Sequence, residues 1–171
     1  MFAFEIHILI VILPLLLSNV IHMLVVKQNF LSSLAQPIWQ VGLGANKTWR
    51  GFLIVPILNA FFFWLIISIG NIAILNPVLI GFLLGLAYLL FELPNSYIKR
   101  RAGIQAGSTG NKYGLFVTLI DKMDSAFGVV LVYYVMGHIM LVSAIVLFFL
   151  ASLTHLTISY LLMIFKIKKS L

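Results

Sequence analysis

The chain has 171 residues, 63% of them hydrophobic and 9% charged, with a net charge of +7 and a mean hydropathy of +1.15. An ordinary soluble domain carries roughly 25% charged residues, so this chain cannot cover itself with polar surface, and its length leaves no room for a separate soluble domain. It has no cysteine, which excludes a disulfide framework and thiolate metal ligation. Its 11 cations are dispersed among apolar runs rather than gathered on one patch, which argues against a nucleic-acid partner.

A spanning helix needs roughly 20 apolar residues to cross about 30 Å of hydrocarbon, and five stretches approach that length. The first, Phe4 to Val26, is too long for a signal-peptide core and lacks a basic leader and a small-residue cleavage site, so a retained helix is expected. A polar stretch near residues 27–51 follows. The second and third spans, Phe52 to Ile69 and Pro77 to Leu93, are separated by a short turn marked by Asn71 and Asn76. A second polar stretch near 96–114 leads to Leu115 to Met136, and Gly137 and His138 break the run before Ile139 to Phe165. The expected fold is all-α: one polytopic membrane domain over residues 1–171, with about five transmembrane helices and two longer loops.

The cations orient these spans. With the N-terminus outside, Lys27, Lys47 and Arg50 lie in the first cytoplasmic loop, and Lys99, Arg100, Arg101 and Lys112 in the second. Lys166, Lys168 and Lys169 sit at a cytoplasmic C-terminus, and Lys122 at the inner entrance of the fourth span. No Lys or Arg remains for the outside, as the positive-inside rule requires. The expected setting is therefore a multi-pass protein of the cell membrane with its polar chemistry facing the cytoplasm.

Four acids carry all the negative charge: Glu5, Glu92, Asp121 and Asp124. Asp121 and Asp124 are three apart, which on a helix sets both carboxylates on one face, with Ser125 at i+4. Two such carboxylates repel unless a proton or divalent cation lies between them, and Mg²⁺ bound by one or two carboxylates plus substrate phosphates is the usual phosphoryl-transfer arrangement. The bland alternative is a pair of interfacial acids neutralised by Lys122 and the basic loop. Glu92, Asn95, Ser96 and Lys99 recur at helical spacing and form a polar stripe if the third span continues past Pro94. Lys99, Arg100 and Arg101 could neutralise phosphate, or serve only to anchor the loop on anionic headgroups.

The loop Gly42 to Gly51 combines glycines, Asn46, Lys47, Thr48 and Arg50 just before a helix, a composition that can cradle phosphate oxygens. It is not a P-loop, because Asn46 stands where glycine must precede Lys-Thr. A plain interfacial loop anchored by Trp39 and Trp49 is the alternative. His7, His22, His138 and His155 share no spacing and are expected to be hydrogen-bonded helix residues rather than metal ligands.

Three short segments together resemble the CTP-dependent cytidylyltransferases that make CDP-activated membrane lipids. Lys47-Thr48-Trp49-Arg50-Gly51 is similar to a Lys-Thr-Trp-acid-Gly stretch of the bacterial phosphatidate enzymes. Asn95-Ser96-Tyr97-Ile98-Lys99-Arg100 is similar to the Ser-x-x-Lys-Arg opening of the family signature, and Asp121-Lys122-Met123-Asp124-Ser125 to its closing Asp-Arg-x-Asp-Ser. The bacterial Lys-Asp pair after Lys-Arg and the His-Gly-Gly before the last acids are absent. The short chain and Pro94 to Arg100 resemble instead the compact archaeal branch, the CDP-archaeol synthases.

The resemblance implies transfer of CMP from CTP to an unsaturated archaeal diether lipid phosphate, releasing pyrophosphate, with Mg²⁺ as cofactor. Carried over residue by residue, Asp121 and Asp124 would hold the metal, with Glu92 a candidate third ligand, and Lys99 and Arg100 would join them in catalysis. Asn46, Lys47, Thr48, Arg50, Asn95, Ser96 and Lys99 would meet CTP, and Arg100, Arg101 and Ser125 the lipid phosphate. A diacyl lipid phosphate is the alternative substrate. The rival classes are a structural membrane subunit and a small transporter or channel; for a transporter, midplane polar residues, broken helices or an internal repeat would be expected, and no repeat is evident. Oligomeric state has no signature in the sequence.

Overall fold

The computed structural model of the chain describes residues 3–105 and 114–167, without the side chains of 114–118. Six α-helices follow one another: α1 (Phe4–Lys27), α2 (Gln40–Leu43), α3 (Trp49–Ile69), α4 (Pro77–Arg101), α5 (Gly114–Val135) and α6 (Leu141–Ile164). A single 3₁₀ turn, Ser32–Leu34, precedes α2, and no strand occurs among the described residues. All five apolar stretches are helical, so the all-α expectation is met. Of these helices α1, α3, α4 and α6 are long and apolar enough to cross a membrane, while α5 carries Asp121, Lys122 and Asp124 within its length.

Two boundaries differ from the sequence reading. The stretch from Ser96 to Arg101 is not loop: α4 runs unbroken through Pro94. Likewise Trp49–Gly51 form the first turn of α3, with Thr48 as its N-cap, its Oγ1 accepting the Gly51 N–H at 3.4 Å. Lys112, Lys168 and Lys169 lie outside the described residues.

The short α3–α4 connection makes these two helices antiparallel neighbours, and Asn71 and Asn76 supply the left-handed backbone it needs at φ 48° and 52°. They pack closely because α4 presents Gly81 and Gly85, a small-xxx-small pair that lets backbones approach. A Cβ on Gly85 would lie 2.8 Å from the Cα of Pro56, and one on Gly81 2.8 Å from the Cα of Ala60. Asn59 seals this interface by donating its Nδ2 hydrogen to the Gly81 carbonyl at 2.6 Å. The opposite face of α3, Leu53, Ile57, Phe61 and Trp64, is exposed and wholly apolar, as a lipid-facing surface would be.

The helix ends segregate by chemistry. Where α1, α4 and α6 begin and α3 and α5 end, the core is apolar: Ile10, Val11, Phe63, Leu84, Val129, Tyr133 and Leu147 form one buried cluster. Against this cluster His7 Nδ1 meets the Tyr133 hydroxyl at 2.8 Å. Almost every other ionisable group lies toward the opposite end.

Candidate functional site

The polar end is assembled from three elements remote in sequence. The connection between α1 and α3 is closed by two backbone hydrogen bonds, Ile38 N–H to the Lys47 carbonyl at 2.8 Å and Trp49 N–H to the Gln36 carbonyl at 3.1 Å. Trp39 then stacks on Tyr97 of α4, ring centroids 5.8 Å apart, which folds this loop over the end of α4. Lys47 is thereby delivered to Glu92, with which it forms a half-buried ion pair.

One turn further along α4, Asn95 gathers the two aspartates of α5. Its Nδ2 donates to Asp121 Oδ1 at 2.6 Å and to Asp124 Oδ2 at 3.0 Å, and Lys99, one turn on, pairs with the same Asp121 oxygen. Asn95 and Lys99 share a helix face because they are four apart, and the amide and ammonium offset the repulsion between the carboxylates. Asp124 is also fixed by the Ser125 backbone N–H at 2.5 Å. Lys122, buried between them in sequence, interacts electrostatically with Glu92.

The donor chemistry here fits a hard divalent cation. Two carboxylate oxygens already converge on one point, and the amide of Asn95 offers an oxygen if its orientation reverses, an assignment set by its partners. Glu92, the candidate third ligand, is engaged with Lys47 instead, and no group of three or more His, Asp or Glu is placed to hold a metal among the described residues.

Other residues singled out in the sequence are placed differently. Arg50 is buried, and its Nη1 donates to the Phe30 carbonyl at 3.0 Å, tying α3 to the end of α1. Arg100 turns away from the carboxylates to the Ile104 carbonyl beyond its own helix end, where the helix dipole favours a cation. Arg101 and Asn46 are exposed, and Ser96 is buried on α4. Ser125 is fully buried and faces His155 Nδ1 at 3.4 Å.

That last contact belongs to a network absent from the sequence reading. His155 of α6 meets the Tyr88 hydroxyl of α4 through Nε2 at 2.9 Å, and Asn19 of α1 donates to the same hydroxyl at 3.2 Å. Four helices thus meet below the aspartates, and an apolar cavity lined by Ile12, Leu16, Ala126, Val129, Ala151 and Ile158 adjoins this network. His7 and His155 are hydrogen-bonded helix residues, as expected, whereas His138 lies in the turn after α5 and His22, on α1, has no partner for its Nε2 among the described residues. Asn19, Tyr88 and Asn59 could have been flagged as polar groups inside apolar runs, but nothing in the sequence paired them.

No family model, curated protein or solved structure matches the chain.

Proposed function

We propose that the protein is a Mg²⁺-dependent, membrane-embedded cytidylyltransferase that transfers CMP from CTP to a lipid phosphate, with an archaeal-type diether lipid as the preferred acceptor. The observation that carries this reading is the gathering of Asp121 and Asp124 by Asn95, with Lys99 on the same face and Lys47 one turn away at Glu92. Three segments separated by loops and whole helices meet at one end of the bundle, and they are the three that resemble the cytidylyltransferase signature.

In this reading the chain crosses the bilayer five times, α5 being the fourth span, with the N-terminus outside and the polar end at the cytoplasmic headgroup level. CTP arrives from the cytoplasm, while the hydrocarbon chains of the acceptor stay in the bilayer. An oxygen of the lipid phosphate, already anionic at pH 7, attacks the α-phosphorus of CTP; the bond to the β-phosphate breaks and pyrophosphate leaves. No general base is needed, so positioning and charge compensation dominate. Asp121 and Asp124 would hold Mg²⁺, which supplies charge neutralisation at the triphosphate. Lys47 and Lys99 hold further positive charge where the leaving group becomes more negative, and Asn95 keeps the two carboxylates in register.

The test is direct: purified protein is incubated with labelled CTP, Mg²⁺ and either a diether or a diacyl lipid phosphate. A CDP-lipid and pyrophosphate in equal amounts are expected, faster with the diether. Absence of both products with either acceptor refutes the reading.

A further inference from the structure

His22 lies on α1, outside every segment that resembles the cytidylyltransferase signature, yet its ring faces the first turn of α3. Its Nε2 sits 3.3 Å from where a Cβ on Gly51 would be, so the absence of a side chain at 51 is what admits the imidazole. Thr48 Oγ1 borders the same point at 4.0 Å. This Nε2 is sealed from solvent and has no hydrogen-bond partner among the described residues. In the same turn Arg50, only 6% exposed, also keeps its Nε hydrogen without an acceptor. Its Nη1 is taken by the Phe30 carbonyl, which pins the guanidinium and leaves free the Nε side, the edge with which arginine grips an anion through parallel N–H bonds. One enclosed donor, Arg50 Nε, and one ring nitrogen that donates in its Nε2–H tautomer, that of His22, thus stand without partners at the N-terminal end of a 21-residue helix that follows Lys47. A buried donor left without a partner carries its full desolvation penalty, and His22 Nε2 lies against the first turn of α3, at the positive end of that helix's dipole, where anions are favoured.

We propose that His22 and Arg50 form a phosphate-holding subsite on the α1–α3 side of the site, His22 donating from Nε2 and Arg50 from its Nε edge to the same phosphate group. The inference rests on the reading that the polar end handles phosphate compounds, and it adds a binding residue from a helix that the three signature-like segments do not reach. Lys47 pairs with Glu92, while the aspartates are gathered by Asn95 and Lys99. A phosphate held by His22 and Arg50 would thus use none of the side chains that meet the aspartates.

The test is a binding measurement on full-length protein in detergent, with Mg²⁺ held constant, using inorganic pyrophosphate and, separately, dioleoyl phosphatidate in mixed micelles, with dioleoyl phosphatidylcholine as control. Wild type should bind at least one phosphate probe over the control. His22→Leu, which lacks a donor, and His22→Asn, whose amide falls short of the Nε2 position, should weaken that binding about 10-fold or more, the loss expected for one hydrogen bond to a charged group. His22→Gln, which returns an N–H near the Nε2 position, should recover most of it. Loss confined to pyrophosphate assigns the subsite to a nucleotide phosphate, and loss confined to phosphatidate assigns it to the lipid headgroup. Wild-type affinity in both His22→Leu and His22→Asn, or no phosphate binding by wild type, overturns the proposal. CTP turnover measured on the same wild-type preparation separates the two ideas: His22-dependent phosphate binding without turnover keeps the subsite and removes the enzyme, and turnover with His22-independent binding does the reverse.

Discussion

Asp121 and Asp124 are held by the Asn95 amide, the Lys99 ammonium and the Ser125 backbone N–H, an arrangement in which each carboxylate depends on its neighbours for charge compensation. Asp121→Asn and Asp124→Asn should each lower CDP-lipid formation by about 100-fold or more, the scale for removing one charge-stabilising group from a preorganised site. Thermal unfolding in detergent should be little changed, because amide-for-carboxylate exchange keeps the shape. Near-normal turnover of either variant at limiting Mg²⁺ would remove the pair from the reaction. Lys47 gives a second comparison at this scale, since it reaches Glu92 whereas Lys27 ends α1 in an exposed position. Lys47→Ala should depress turnover or raise the CTP requirement far more than Lys27→Ala; equal effects would make the loop a generic basic anchor.

Between elements, the contact that places the site is the α3–α4 pair, because α3 begins with the Lys47–Arg50 turn and α4 ends with Asn95 and Lys99. Gly85 sits against the backbone of Pro56, where no flexible side chain can yield. Gly85→Ala should therefore separate the helices and cost about 1–3 kcal/mol by overpacking, read as a lowered unfolding temperature in detergent. Leu79→Ala, on the exposed face of the same helix, should leave the unfolding temperature close to wild type. The opposite ranking would mean that this close approach does not organise the bundle. Pro94 illustrates how neighbours override a local preference: it removes one amide donor from α4, yet the helix persists to Arg101. The turn gained carries Lys99 onto the same face as Asn95.

For the molecule as a whole, the position of α5 decides how many times the chain crosses the bilayer. The absence of native cysteine allows single substitutions to report it. Ala45→Cys and Ala102→Cys lie at the polar end, and Leu75→Cys and Met140→Cys at the apolar end; all four positions are exposed. A membrane-impermeant thiol reagent should label the first two from the cytoplasmic side and the last two from the outside. Labelling of Ala102→Cys and Met140→Cys from the same side would show that α5 does not cross and would break the five-span arrangement.

Composition and apolar run length alone specified a helical membrane protein, because a chain this short of polar side chains has few ways to satisfy its backbone other than helix. The spacing of Asp121 and Asp124 specified a shared face, since that is a property of one helix. Local patterning could not specify partners across helices. That Asn95, rather than Arg100, meets the aspartates depends on how α4 is rotated against α5. That Arg50 is pinned to Phe30 depends on how the first loop folds back over α1. His22 was one of four histidines without a shared spacing, and only the packing of α1 against the Gly51 turn gives its Nε2 a position. These relations are set by interhelical packing, in which small residues such as Gly81, Gly85 and Gly51 determine which surfaces approach, and a sequence read one helix at a time carries no distances between them.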